Sequence, residues 1–155
     1  MTDTLERAAR EKDTLEIYKM LVEMADRVSQ RRQTANSFYL TVNTAIIGGS
    51  AYLSKSNYGS AAVSIAGIMI CALWIRAVVS YKSLNSAKFE VITSLENSLP
   101  VSPYSDEWAI LSAEDKGTRH RPFHATEIQV PRVFMCVHAS QVFTAISWCS
   151  YIICK

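Results

Sequence analysis

The amino-acid sequence predicts an all-α integral membrane protein with three transmembrane helices, two of them extended into a cytosolic helical region. Three observations carry that prediction. First, the 16 Lys and Arg and the 14 Asp and Glu all avoid three windows, 33–54, 56–75 and 133–154, each 20 to 22 residues long. At about 1.5 Å per helical residue, roughly 20 apolar residues cross a hydrocarbon core of about 30 Å. Second, the basic residues are distributed asymmetrically: seven lie in 1–32 and seven in 76–132, against Lys55 and Lys155 alone on the other side. Basic residues beside spanning segments stay in the cytoplasm. Third, no proline interrupts 3–53 or 61–98, so each of the first two spans can continue as one helix into the cytosol.

Taken in order, residues 1–34 read as a cytosolic N-terminal helix. Asp3 with Glu6 and Asp13 with Glu16 both fit a capping box, so the helix starts at either place or breaks near residue 13. Its apolar positions, Leu15, Tyr18, Val22, Ala25 and Ile17, Leu21, Met24, Val28, form a broad stripe that requires a partner helix. Seven basic and seven acidic residues in 1–32 exclude a cleavable secretory signal.

Residues 35–81 form a transmembrane hairpin, with helices over 35–54 and 60–81 joined by the short external connection "SKSNYGS". Arg31, Arg32 and Arg76 anchor its inner ends at the lipid headgroups. The cytosolic segment 82–130 carries the second helix inward until Pro100 and Pro103 end it. Ser105, Asp106, Glu107 and Trp108 then resemble a new helix start, and "EDKGTRHRPF" a loop. The third transmembrane helix spans 131–154, behind Arg132, with Pro131 tolerated at its first turn. A helix running straight through from His124 would instead be kinked there. This window is the least hydrophobic of the three on its content of Ser140, Gln141, Thr144, Ser147 and Ser150; the alternative is a core helix of a soluble domain.

Small and polar residues recur at helical spacing. Ser37, Thr41, Thr44, Gly48 and Ala51 share one side of the first spanning helix, opposite Phe38, Val42, Ile46 and Leu53. Ser60, Ser64, Gly67 and Cys71 share a side of the second, and Cys136, Ser140, Thr144, Ser147 and Tyr151 of the third. In lipid, helices associate through close packing and hydrogen bonds across such faces. Three stripes exceed the needs of one hairpin, so either they pack one three-helix monomer or some join copies of the chain. Asn36 and Asn43, seven residues apart, are assigned to hydrogen bonds between helices, with pore lining as the alternative. His138 is the one histidine in a window; a hydrogen-bonded packing role outweighs a proton relay.

Little points to chemistry. Pro122 between His120 and His124 argues against their use as a helical metal pair. The four cysteines show no C-x-x-C and read as small residues in apolar helices, with an intermolecular disulfide of Cys149 or Cys154 as the alternative. A formal net charge of +2, interleaved with acids, gives no footprint for nucleic acid. No phosphate loop, zinc-protease or nucleophile-elbow motif is present, so catalytic, cofactor and metal residues are expected to be none.

The blocks R-R-Q-x-x-N-x-F from Arg31, L-N-x-A-K-F from Leu84 and L-P-x-x-x-Y-x-x-E-W from Leu99, together with "TEIQVPRVF", resemble the RipA family of octameric bacterial membrane proteins. The likeness covers most of 15–135. It implies an inner-membrane homo-oligomer, an octamer, with no assigned catalytic residue. The resulting expectation is a non-enzymatic homo-oligomer acting as a membrane scaffold or channel. Its partners would be its own copies, membrane lipid and an unidentified cytosolic protein. The alternative is a pore-forming membrane effector of a bacterial defence system, and a third class is an intramembrane enzyme or proton-coupled transporter that uses His138.

Overall fold

The computed structural model describes residues 2–53, 57–113 and 123–153. Apart from a turn over 97–102, the described residues form four helices: α1, Thr2–Leu53; α2, Asn57–Glu96; α3, Pro103–Ala113; and α4, Phe123–Ile153. The loop expected beyond Ala113, the external connection at Lys55, and the side chains of Ala51, Leu53, His120, His124 and Cys154 fall outside the described residues or side chains.

α1 runs for 52 residues without a break at Asp13. No proline interrupts it, and Arg10–Glu6 and Arg27–Glu23 brace its exposed face one turn apart, worth about 0.3–0.5 kcal/mol each. α2 spans 40 residues. α3 begins at Pro103 rather than Ser105, because proline's fixed φ suits the first helical position. The carbonyl of Ser102 accepts from the amide of Asp106 at 2.9 Å. α4 begins at Phe123, and of the two courses the sequence leaves open the helix takes the second: Pro131 lies inside it rather than at its start. Losing one amide donor removes one bond of the ladder, and the Pro131 side chain is fully buried.

The chain divides into two compact units. Unit 1 comprises 1–31 and 81–121. Its core is Tyr18, Ala25 and Ile92, with Leu21, Val22, Leu95, Leu99 and Tyr104 packed against them. Only part of the expected α1 stripe is used here, for Leu15, Ile17 and Met24 stay exposed.

Unit 2 comprises 32–80 and 122–155. In it, Asn36 meets Trp74 and Asn43 meets Cys71, so α1 and α2 run antiparallel. Arg32–Glu127 and Asn43–His138 share a sequence offset of 95, so α4 runs parallel to α1. The three helices of unit 2 therefore run up, down and up.

Two stretches, not three, are long and apolar enough to cross a membrane among the described residues: Gly59–Glu96 of α2 and Thr126–Tyr151 of α4. Of the three expected, α1 falls short of that criterion, for Gln33, Asn36, Asn43 and the hydroxyls between them dilute its apolar residues. The third window, by contrast, passes the criterion. Only 6% of it is buried within the chain, against 28% for α2, so it is not the core helix of this fold.

Candidate functional site

Unit 2 is held together by polar side chains at near-heptad spacing. α2 turns Ser64, Gly67, Cys71, Trp74 and Val78 inward; α4 answers with Pro131, Phe134, His138 and Gln141, and α1 with Asn36, Asn43 and Ser50. A spacing of alternating 3 and 4 residues keeps one face of each helix turned to its partners. Near the Ser50 end, the Gln141 amide pins all three helices: its Oε1 accepts from Ser64 Oγ at 2.9 Å and its Nε2 donates to Ser50 Oγ at 3.1 Å. At the other end, Trp74 Nε1 donates to Asn36 Oδ1 at 2.8 Å, and its ring stacks on Tyr39 at 5.8 Å.

Between these ends lies a buried knot of Asn43, Cys71 and His138, each 0% exposed. Asn43 Nδ2 donates to the carbonyl of Tyr39 at 2.8 Å, which orients the amide. Its Oδ1 then accepts from Cys71 Sγ at 3.0 Å and lies 3.3 Å from His138 Nε2. Facing an acceptor, Nε2 must carry the proton, so the hydrogen-bond network assigns the Nε2–H tautomer. Nδ1 is left as a buried acceptor without a partner among the described residues. The imidazole lies over Gly67, where a Cβ would come within 2.5 Å of Cε1 and Nε2. Glycine is required there because the ring occupies the space of a side chain.

The other stripes take no part in this interior. Ser37, Thr41, Thr44 and Gly48 on α1 are exposed, as are Cys136, Ser140, Thr144 and Ser147 on α4. Their hydroxyls bond back to their own helix: Thr41 to Ser37, Thr44 to Leu40, Ser140 to Val137 and Thr144 to Gln141. Arg31, Arg76 and Arg132 are exposed, whereas Arg32 is partly covered and pairs with Glu127 at 3.7 Å. Sequence reasoning passed over Ser50 and Gln141 as site residues. The seven-residue step from Asn36 to Asn43, taken once more, lands on Ser50.

Unit 1 has a second polar centre that no sequence pattern announces. The Glu96 carboxylate, 1% exposed, accepts four hydrogen bonds. Oε1 receives Tyr18 OH at 2.9 Å and Tyr104 N at 2.8 Å; Oε2 receives Ser105 N at 3.1 Å and Ser105 Oγ at 2.7 Å. Two of these donors are amides in the first turn of α3, which have no partner within that helix. Burial pushes the carboxyl upward, but the bonds from Ser105, Tyr104 and Tyr18 outweigh it and hold Glu96 below the ordinary carboxylate range. Burial and then the bond to Glu96 push the Tyr18 phenol up to about 12. The pair is therefore an ionised acceptor and a protonated donor at neutral pH.

From residue 15 to 148 the chain matches the octameric membrane protein family (8xMP). It belongs to that family. The match takes in α1 from Leu15, α2, α3 and α4 as far as Trp148, and therefore both polar centres. The octameric membrane protein family is described by an assembly and a location, not by a reaction. Neither curated proteins nor solved structures give a match.

Proposed function

We propose that the protein is a non-enzymatic homo-octamer of the bacterial inner membrane, a scaffold in which the small face of α1 packs against a neighbouring copy. In this reading unit 2 lies in the bilayer and α1 is its third crossing. Unit 1 with the N-terminus lies in the cytosol, and the C-terminal end of α4 lies outside. The distribution of Lys and Arg supports that orientation. Arg31, Arg32, Arg76 and Arg132 then mark the inner headgroup level.

The observation that carries the proposal is the exposed face of α1. Ser37, Thr41, Thr44 and Gly48 lie on the outside of unit 2, on the one spanning helix that falls short in apolar content. Phe38 and Leu40 flank that small face on α1, and α2 and α4 turn Met69, Leu73, Val133, Phe143 and Ile146 outward, as helices in contact with lipid do. A closed ring needs two different complementary faces per subunit. The small faces of α1 and α4 supply two, and membership of a family of octamers supports their use.

Native mass spectrometry of the full chain from mild detergent tests this: eight copies are expected, and a monomer at every detergent concentration overturns it. Flux from liposomes loaded with a small dye then separates a closed scaffold, which retains the dye, from a conduit or a triggered defence effector, which releases it.

A further inference from the structure

Unit 1 contains a cleft beside the Glu96 centre, with which it shares Tyr104. It measures about 550 Å³ and lies between α2 and α3, lined by Asn85, Ser86, Phe89, Thr93, Tyr104, Glu107, Trp108 and Leu111. That volume falls within the range of small-molecule sites, about 300–1,000 Å³. Five of the eight lining residues, Asn85, Phe89, Tyr104, Glu107 and Trp108, come from the L-N-x-A-K-F and L-P-x-x-x-Y-x-x-E-W blocks. Two motifs that carry no chemistry separately thus converge on one cavity.

Its chemistry is one-sided. Phe89 and Tyr104 meet edge to face at 5.3 Å and 72°, and the Trp108 indole stands at the rim, 69% exposed. Aromatic faces attract cations through the ring quadrupole. Among the described residues of the lining, Glu107 is the one charged side chain and none is basic. At Tyr104 carboxylates lie close as well: after burial, the charges of Asp26, Glu107 and Glu96 raise its phenol. Asn85 Oδ1 is shut off from solvent, with no hydrogen-bond donor among the described residues. A buried acceptor in that condition is destabilising until a donor reaches it. The amide turns readily about its broad terminal torsion, which would present the oxygen to a guest.

We infer that the α2–α3 cleft is a binding site for a small organic ammonium ion, with an apolar body between Phe89, Tyr104 and Trp108 and an N–H-bearing cationic head between Glu107 and Asn85. The rings take the body, the carboxylate supplies the countercharge, and the orphan amide oxygen selects a head that can donate a hydrogen bond.

The test uses the full chain in nanodiscs, with tryptophan fluorescence and calorimetry at neutral pH. The probes are 2-phenylethylammonium, 2-phenylethanol, 3-phenylpropionate and phenyltrimethylammonium. Saturable binding of 2-phenylethylammonium is expected, with a fluorescence change that Trp108→Phe removes. The alcohol and the quaternary ion should bind more weakly and the carboxylate not at all. Glu107→Gln should weaken the amine about three-fold, as for an exposed ion pair, and Asn85→Leu about ten-fold. Because Glu107 is exposed on α3, its variant keeps the test valid if Asn85→Leu fails to fold. Equal binding of alcohol and amine, or no saturable binding at millimolar concentrations, overturns the assignment. So does loss of the octamer in Glu107→Gln and Trp108→Phe without any change in amine binding, which would give the cleft to a neighbouring copy.

Discussion

Replacing Glu96 by Gln changes one atom in shape and almost everything in hydrogen bonding. Each carboxylate oxygen accepts one backbone amide and one hydroxyl: Tyr104 N and Tyr18 OH on Oε1, Ser105 N and Ser105 Oγ on Oε2. Whichever oxygen becomes the NH₂ group, a hydroxyl can rotate to accept from it, but a backbone N–H cannot. One first-turn amide of α3 is therefore left unpaired and facing a donor, at about 1–3 kcal/mol. The remaining bonds also lose their charge assistance. A net loss of about 2 kcal/mol corresponds to roughly 30-fold in the opening equilibrium. Hydrogen exchange with the full chain in detergent reads this directly: protection at Tyr104 and Ser105 should fall by about that factor while the amides of α4 keep theirs. Tyr18→Phe, which removes one donor and leaves no buried donor unsatisfied, should have a smaller effect of about 1 kcal/mol. Unchanged protection at Tyr104 and Ser105 in Glu96→Gln would refute the claim that this carboxylate caps α3.

Three further outcomes follow from the same packing. The Tyr18–Glu96 pair sets a pH window: the Tyr18 contribution is complete below 10.0 and lost as pH rises towards about 12. The Glu96 contribution is present above the ordinary carboxylate range and lost only as pH falls through its lowered value; exchange at Ser105 across pH checks both limbs. Gly67→Ala forces a methyl against the His138 ring and should destabilise unit 2 by about 1–3 kcal/mol, with His138→Ala restoring part of the loss in a thermal scan. Asn43→Leu removes the acceptor shared by Cys71 and His138, worth about 1 kcal/mol, and should speed Cys71 labelling by a membrane-permeant maleimide. A further variant concerns the proposed assembly: Thr44→Leu on the exposed α1 face should leave the melting of the solubilised subunit unchanged yet reduce the octamer fraction in native mass spectrometry.

Much of the helix layout was legible in the residues. The uninterrupted runs 3–53 and 61–98 announce α1 and α2, and Pro100 with Pro103 announces the turn before α3, because backbone restrictions act locally. The internal position of Pro131 was not legible to the same degree. A proline restricts its own neighbourhood, but whether a helix continues through it depends on what packs against both sides. The windows free of charge mark apolar stretches correctly, yet they do not weigh amides, and so α1 was grouped with two helices more apolar than itself.

The stripes show where local reading stops. Periodicity places Ser37, Thr41, Thr44 and Gly48 on one face of α1 and Ser64, Gly67 and Cys71 on one face of α2, since 100° per residue is a property of the single helix. It does not say which face turns inward. Only packing settles that: α2 buries its small face because the His138 ring needs the space over Gly67, while α1 keeps its own outside because Asn36, Asn43 and Ser50 already meet α2 and α4. Glu96 is the limiting case, an acidic residue at a helix end whose burial depends on Tyr18, 78 positions away. Dihedral limits and hydrophobic spacing are written along the chain, whereas a hydrogen bond between distant residues exists only once the helices have come together.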